Sequence, residues 1–111
     1  MPKVYIINKT CHDHSDAKRF GDLVYLSEGS MNRYATSNIF RLFMPILKDS
    51  SPDDFILPTG LTIMNNIACA IFGSLHGRIN MLIYRNTRKS GEKSEYVDRK
   101  IIIREEVSGD D

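Results

Sequence analysis

The chain has 111 residues, with 15 Lys and Arg against 14 Asp and Glu, a formal net charge of +1. That length fits one domain, and 41% hydrophobic with 26% charged residues excludes a disordered chain or a fibrous repeat. A near-neutral balance excludes a generally basic nucleic-acid coat. No apolar run reaches the ~18–20 residues of a membrane span; Leu61 to Leu75 is broken by Asn65, Asn66 and Gly73. The start, Met1 to Ile7, turns polar too soon for a signal peptide. Cys11 and Cys69 are far apart with no CxxC spacing, so a disulfide framework is not expected and the cytoplasm is the expected compartment.

Lys3 to Asn8 is β-branched and aromatic and predicts a first strand. Thr10 to Ser15 is polar and turn-like. Ser15 is placed to cap a short helical turn, Asp16 to Phe20, with Gly21 as its stop. Asp22 to Ser27 predicts a second strand, and Glu28-Gly29-Ser30 a turn.

Ile39, Leu42, Phe43 and Ile46 recur at helical spacing. Met31, Tyr34 and Ala35 extend that stripe backwards, so the helix begins either after Ser30 or at a cap formed by Thr36 or Ser37. Pro45 removes a backbone donor and should kink or shorten it. Asp54 to Leu57 predicts a short strand. A second helix from about Thr62 carries the stripe Leu61, Met64, Ile67, Ala68, Ile71, Phe72 and Leu75, and Gly77 supplies a left-handed stop. Arg78–Arg85 and Tyr96–Arg104 predict two closing strands, separated by a polar loop.

The order is β-β-α-β-α-β-β. It predicts a single α/β (α+β) domain over residues 1–104: a mixed five-stranded sheet, two main helices on one face, and a C-terminal antiparallel hairpin. Strand, helix and strand from 54 to 85 form a βαβ unit. Residues 105–111 form an acidic, frayed tail. The apolar run Ile101-Ile102-Ile103 suggests cover on both faces, from helices or a partner subunit.

Four segments carry candidate chemistry. Cys11-His12-Asp13-His14-Ser15-Asp16 gathers two imidazoles, two carboxylates and a thiol. Zinc favours such ligands, but no spaced partner pair exists and His76 is distant in sequence, so neither a metal nor a cofactor is assigned. His12 and His14 could instead move protons in a metal-independent phosphodiesterase or nuclease, with Arg19 or Lys18 holding the phosphate. The plainer role is a loop whose Asp13, Ser15 or Asp16 caps the next turn.

Pro58-Thr59-Gly60-Leu61-Thr62 joins a strand to a helix, where backbone amides attract anions and a glycine lets a phosphate approach. It has neither a Walker lysine nor GxGxxG, and Thr59 and Thr62 also suit helix caps. Asn65 and Asn66 stand on an apolar helix; a loop contact is the expected use, with contact to a second copy the alternative. Cys69 is read as core packing. Residues 78–104 carry eight Lys or Arg against three acids, a net +5, and the tail carries −4. Arg85, Arg88, Lys89 and Arg99, beside Tyr84 and Tyr96, could hold a nucleic-acid strand; a charged, solvated edge strand is the plainer role.

The segments His12 to Gly21, Leu23 to Gly29 and Ser51 to Asp54 resemble small uncharacterised proteins of tailed bacteriophages and their hosts. The resemblance spans residues 3–104 and brings no assigned activity. It implies a cytoplasmic accessory protein that binds a host protein or a nucleotide-like ligand, as a homo-oligomer. His12, His14, Arg19, Thr59 and Gly60 are the expected ligand contacts. Enzymatic action by His12 and His14, and nucleic-acid binding by the hairpin, are the alternatives.

Overall fold

Val4 to Ile7 are all buried, and successive residues of a strand point to opposite faces. A strand buried on both faces must lie inside the sheet, and it does. The computed structural model of the protein describes residues 1–10, 12–85 and 95–104. Strand β1 is Lys3–Ile6 and β2 is Asp22–Tyr25, with a 3₁₀ turn at Ser15–Arg19 between them. Helix α1 (Thr36–Leu47), β3 (Phe55–Leu57), α2 (Thr62–His76), β4 (Arg78–Arg85) and β5 (Glu95–Ile102) follow. The sheet order is β2-β1-β3-β4-β5. The first four strands run parallel and β5 closes antiparallel on β4. The mixed five-stranded sheet, two helices and closing hairpin all form as expected.

The alternation of β1 divides the core. Tyr5 and Ile7 join Ile39, Phe43 and Leu47 of α1 and Met64, Ala68, Ile71 and Phe72 of α2. Val4 and Ile6 join Leu57, Leu82, Tyr96 and Ala17 on the other face. Both helices therefore pack one face. The 3₁₀ turn, through Ala17 and Phe20, covers the other.

Several local expectations are corrected. Helix α1 takes the later of its two starts, but Ala35 is its N-cap and neither Thr36 nor Ser37 supplies a cap bond. Met31 still packs against the helix-side core while lying outside the helix. Leu42 faces outward, and the buried stripe is Ile39, Phe43 and Leu47. Pro45 sits inside the final turn and the helix runs on to Leu47; a proline so near the end removes only one ladder bond. Ser15 does not cap the 3₁₀ turn. Its N–H instead donates to Asp13 Oδ1 at 2.9 Å, an Asx-type turn.

Gly21 is not left-handed, unlike Gly77 at φ 70°. Its role is proximity, because a Cβ there would overlap the Pro2 carbonyl. Ile101, Ile102 and Ile103 are not covered on both faces. They are 46%, 52% and 57% exposed, because β5 is an outer strand.

A buried carboxylate ties the amino ends of the strands together. Asp54 accepts from the Lys3 N–H at 2.9 Å and from the Ser51 N–H at 2.8 Å. Asn80 of β4 donates to the carbonyls of Pro52 and Asp54, at 2.6 and 2.8 Å. Asp54→Ala strips two backbone donors of their acceptor, and a loss of about 1–3 kcal/mol is expected. Urea unfolding measures it, with an unchanged m-value showing that stability alone has moved.

Candidate functional site

The strand order reverses at β1. The chain leaves β1 for β2 on one side, then returns through α1 to β3 on the other side. In open sheets with parallel strands, the carboxyl ends of the strands flanking such a reversal splay apart and leave a crevice. A cavity of about 720 Å³ lies there. The β1–β2 connection lines it with Asn8, Thr10, His12, Asp13, His14 and Asp16. The β3–α2 loop adds Pro58, Thr59, Gly60 and Leu61, and the closing hairpin adds Leu82, Tyr84 and Tyr96. His12, His14, Thr59 and Gly60, picked out from two separate loops, thus line one cavity.

Each wall is held by specific bonds. The Asn8 amide receives Ser27 Oγ at 2.8 Å and donates to the Gly29 carbonyl at 3.1 Å, fixing the carboxyl end of β1. Asn65 spans the β3–α2 loop. Its Oδ1 accepts the Thr59 N–H at 3.1 Å, and its Nδ2 donates to the Thr59 carbonyl at 2.6 Å. The loop contact expected of the asparagine pair is therefore made by Asn65. It also displaces the capping role expected of Thr59 and Thr62, since the N-cap of α2 is Leu61 and no side chain caps it. The first amides of α2 have no side-chain acceptor, which leaves a partial positive charge beside Gly60. A Cβ at Gly60 would meet nothing within 4 Å, so the space above it is open. Tyr84 and Tyr96 meet edge to face, with centroids 5.2 Å apart.

Two polar atoms in these walls are buried without a hydrogen-bond partner: His14 Nδ1 and Thr59 Oγ1. Such groups are rare in folded proteins and each asks for a reason. Both belong to residues lining this cavity. His14 is only 7% exposed. Burial pushes its pKa down and the neighbouring His12 pushes it further, against the pull of Asp13. The imidazole is therefore neutral at pH 7. Asp13 is held below the usual carboxylate range by its bonds from Ser15, so one wall carries a fixed negative charge. Burial, followed by the nearby Tyr84, Asp16 and Asp13, raises the Tyr96 phenol.

Arg19 is not among the lining residues. Its guanidinium donates to the Tyr96 carbonyl, lies 3.7 Å from Glu95 and stacks 4.5 Å from the Phe20 ring centre. It braces β5 against the 3₁₀ turn, outside the residues that line the cavity. Neither His12 nor His14 hydrogen-bonds a carboxylate among the described residues, so the pair has no orienting partner for proton transfer. His76 is remote from both: its Nε2 meets Ser50 Oγ at 2.7 Å and its ring packs on Phe72. Among the described residues, no three His, Cys, Asp or Glu converge as a metal site. Cys11 lies outside the described residues, and Cys69 packs at the edge of the helix-side core.

The hairpin cations are partly spent on local partners. Arg85 pairs with Glu95 at 2.6 Å, and Arg99 donates to the Asp98 carbonyl at 2.7 Å. Arg88 and Lys89 lie outside the described residues. Sequence reasoning missed Asn8 as a wall residue, and it assigned Tyr84 and Tyr96 to the basic hairpin. Alternation along β4 and β5 was the available signal for the tyrosines, since it sets Leu82, Tyr84 and Tyr96 on one face.

The titration of His14 has a measurable consequence. A histidine with a depressed folded pKa stabilises the fold above its unfolded value of 6.5, and loses that contribution as pH falls through the folded pKa. His76, also lowered by burial, acts in the same direction. The melting temperature is expected to fall between pH 7 and pH 5. His14→Gln is expected to remove part of that slope, as read by thermal unfolding across the range.

A sequence model of the family described as Phage Pam3 gp32-like protein matches residues 2–98. That span holds every residue lining the cavity. No curated protein and no solved structure matches the chain.

Proposed function

The chain belongs to the phage Pam3 gp32-like protein family, and from that premise we propose a phage accessory protein that binds a nucleotide-like small molecule in the cleft. One observation carries the reading: two loops distant in sequence close a single cavity at the reversal of strand order, and each contributes a buried polar atom with no partner. The volume of about 720 Å³ lies within the range of small-molecule sites, roughly 300–1,000 Å³. A concave cleft of that size suits a small ligand better than the surface of a host protein.

The lining chemistry narrows the class. Tyr84, Tyr96 and Leu82 offer an aromatic and apolar wall for a base. His14 Nδ1 and Thr59 Oγ1 are sealed in the walls of the free protein, and a rotation of either side chain turns them toward its edge or a ribose. The uncapped start of α2 and the open space above Gly60 accept one phosphate. Asp13 and Asp16 stand at the same cleft and repel a polyphosphate. The ligand is therefore a nucleoside monophosphate or a cyclic nucleotide, not a triphosphate. The protein acts by binding, as a homo-oligomer; in support of binding over catalysis, neither histidine hydrogen-bonds a carboxylate among the described residues.

Native mass spectrometry and thermal shift with a panel of nucleoside mono-, cyclic and triphosphates test this reading. A monophosphate or cyclic nucleotide is expected to bind, with triphosphates weaker. Gly60→Trp places an indole in open space. It is expected to keep stability within about 0.5 kcal/mol, as surface changes do, and to abolish binding. Thr59→Val removes an unpaired buried hydroxyl without changing shape. It is expected to stabilise the free protein by about 1 kcal/mol while weakening the ligand. Equal binding by wild type and Gly60→Trp would reject the cleft as the site.

A further inference from the structure

Strand β5 ends the sheet, and no described residue pairs with its outer edge. Proteins normally guard such an edge, and here Arg19 and Arg99 of the same chain donate to the outward carbonyls of Tyr96 and Asp98, so a pairing strand has to displace both side chains. This edge carries the consecutive isoleucines at 101, 102 and 103, each close to half exposed or more. Asp98 and Lys100 stand exposed on it, and neither forms an ion pair with a described residue.

We propose that β5 pairs antiparallel with β5 of a second copy of this chain, about a two-fold axis at Arg99, joining two sheets into one. This rests on the oligomeric part of the preceding reading and not on its ligand. The argument is one of register. A two-fold perpendicular to a continuous sheet keeps each side chain on its own face, so a residue can oppose only residues of like parity. With the axis at Arg99, Asp98 faces Lys100 of the second copy, Val97 faces Ile101, and Tyr96 faces Ile102. Each pairing occurs twice. Opposite charges meet, and Ile101 and Ile102 gain apolar partners.

The neighbouring allowed registers do worse. An axis at Asp98 opposes the two Asp98 carboxylates, sets Val97 against Arg99 and sets Tyr96 against Lys100. An axis at Lys100 opposes the two ammonium groups, sets Arg99 against Ile101 and sets Asp98 against Ile102. The chosen register has two unfavourable pairings, Arg99 with itself at the axis and Glu95 with Ile103. It also accounts for the exposed Ile101 and Ile102 at the end of a strand whose outer edge pairs with no other strand among the described residues. The second copy supplies strand addition, where main-chain bonds give affinity and alternate side chains give specificity.

Analytical ultracentrifugation of the full-length protein and its charge variants tests the register. The wild type is expected to sediment as a dimer. Asp98→Lys alone places two ammonium groups opposite each other, and Lys100→Asp alone places two carboxylates opposite each other. Each variant is expected to be monomeric, with wild-type circular dichroism. Mixing the two restores both opposite-charge contacts and is expected to give a one-to-one heterodimer. The double variant Asp98→Lys with Lys100→Asp is expected to recover the homodimer. A monomeric wild type overturns the proposal. So do single variants that remain dimeric, which would place the interface elsewhere, such as the apolar groove that Phe40 and Met44 of α1 form with Ile67, Ile71 and Leu75 of α2. A mixture that stays monomeric overturns the register. The nucleotide test on the cleft reads a different surface, so either proposal can fail without the other.

Discussion

Strand β1 has to bury both of its faces, and most of the architecture follows from that. Val4 and Ile6 fill one layer of the core, while Tyr5 and Ile7 fill the other. A strand with two apolar faces needs a strand on each side and cover above and below. The chain supplies β2 on one side and β3 on the other, with two helices over one face and a 3₁₀ turn over the second. Reaching both neighbours from one strand forces the connections to diverge at its carboxyl end. The cleft is the space left by that divergence. Its position follows from how the apolar residues are buried, whatever it holds.

The walls then require polar bookkeeping. Asn65 spends both ends of its amide on the Thr59 backbone, and Asn8 spends its own on the Ser27 hydroxyl and the Gly29 carbonyl, which holds the two rims in place. His14 and Thr59 are carried inward on those rims and each keeps one atom without a partner. Desolvation without compensation costs stability. The same burial keeps His14 neutral, so the site offers a donor or an acceptor rather than a charge. Electrostatic attraction for a phosphate must come from the amides of α2. Arg19 is engaged elsewhere.

Much of this was legible before any coordinates. The apolar runs marked the strands, the three- and four-residue spacing marked both helices, and Gly77 marked the end of α2. Both loops that line the cleft stood out by composition. Their meeting did not, because it depends on strand order, and hydrophobic alternation says which faces are buried without saying which strands are neighbours. Arg19 looked like a phosphate ligand because it follows two histidines in sequence. On a 3₁₀ turn its side chain instead reaches across the sheet face to β5. The hairpin's net +5 already counts Glu95; what the composition does not show is that Glu95 is held by Arg85. Gly21 read as a helix stop, whereas its missing side chain makes room for the Pro2 carbonyl. A sequence pattern does not encode close approaches between distant segments.

Backbone amide nuclear magnetic resonance of the full-length protein, titrated with adenosine and guanosine monophosphates, tests the account of the cleft most directly. Binding there shifts the amides of Asn8, His14, Thr59, Gly60, Tyr84 and Tyr96 together, with one saturating affinity, while those of the α1–α2 groove stay still. Shifts confined to that groove, or no saturable shift with either nucleotide, would contradict the assignment of the cleft as a nucleotide site.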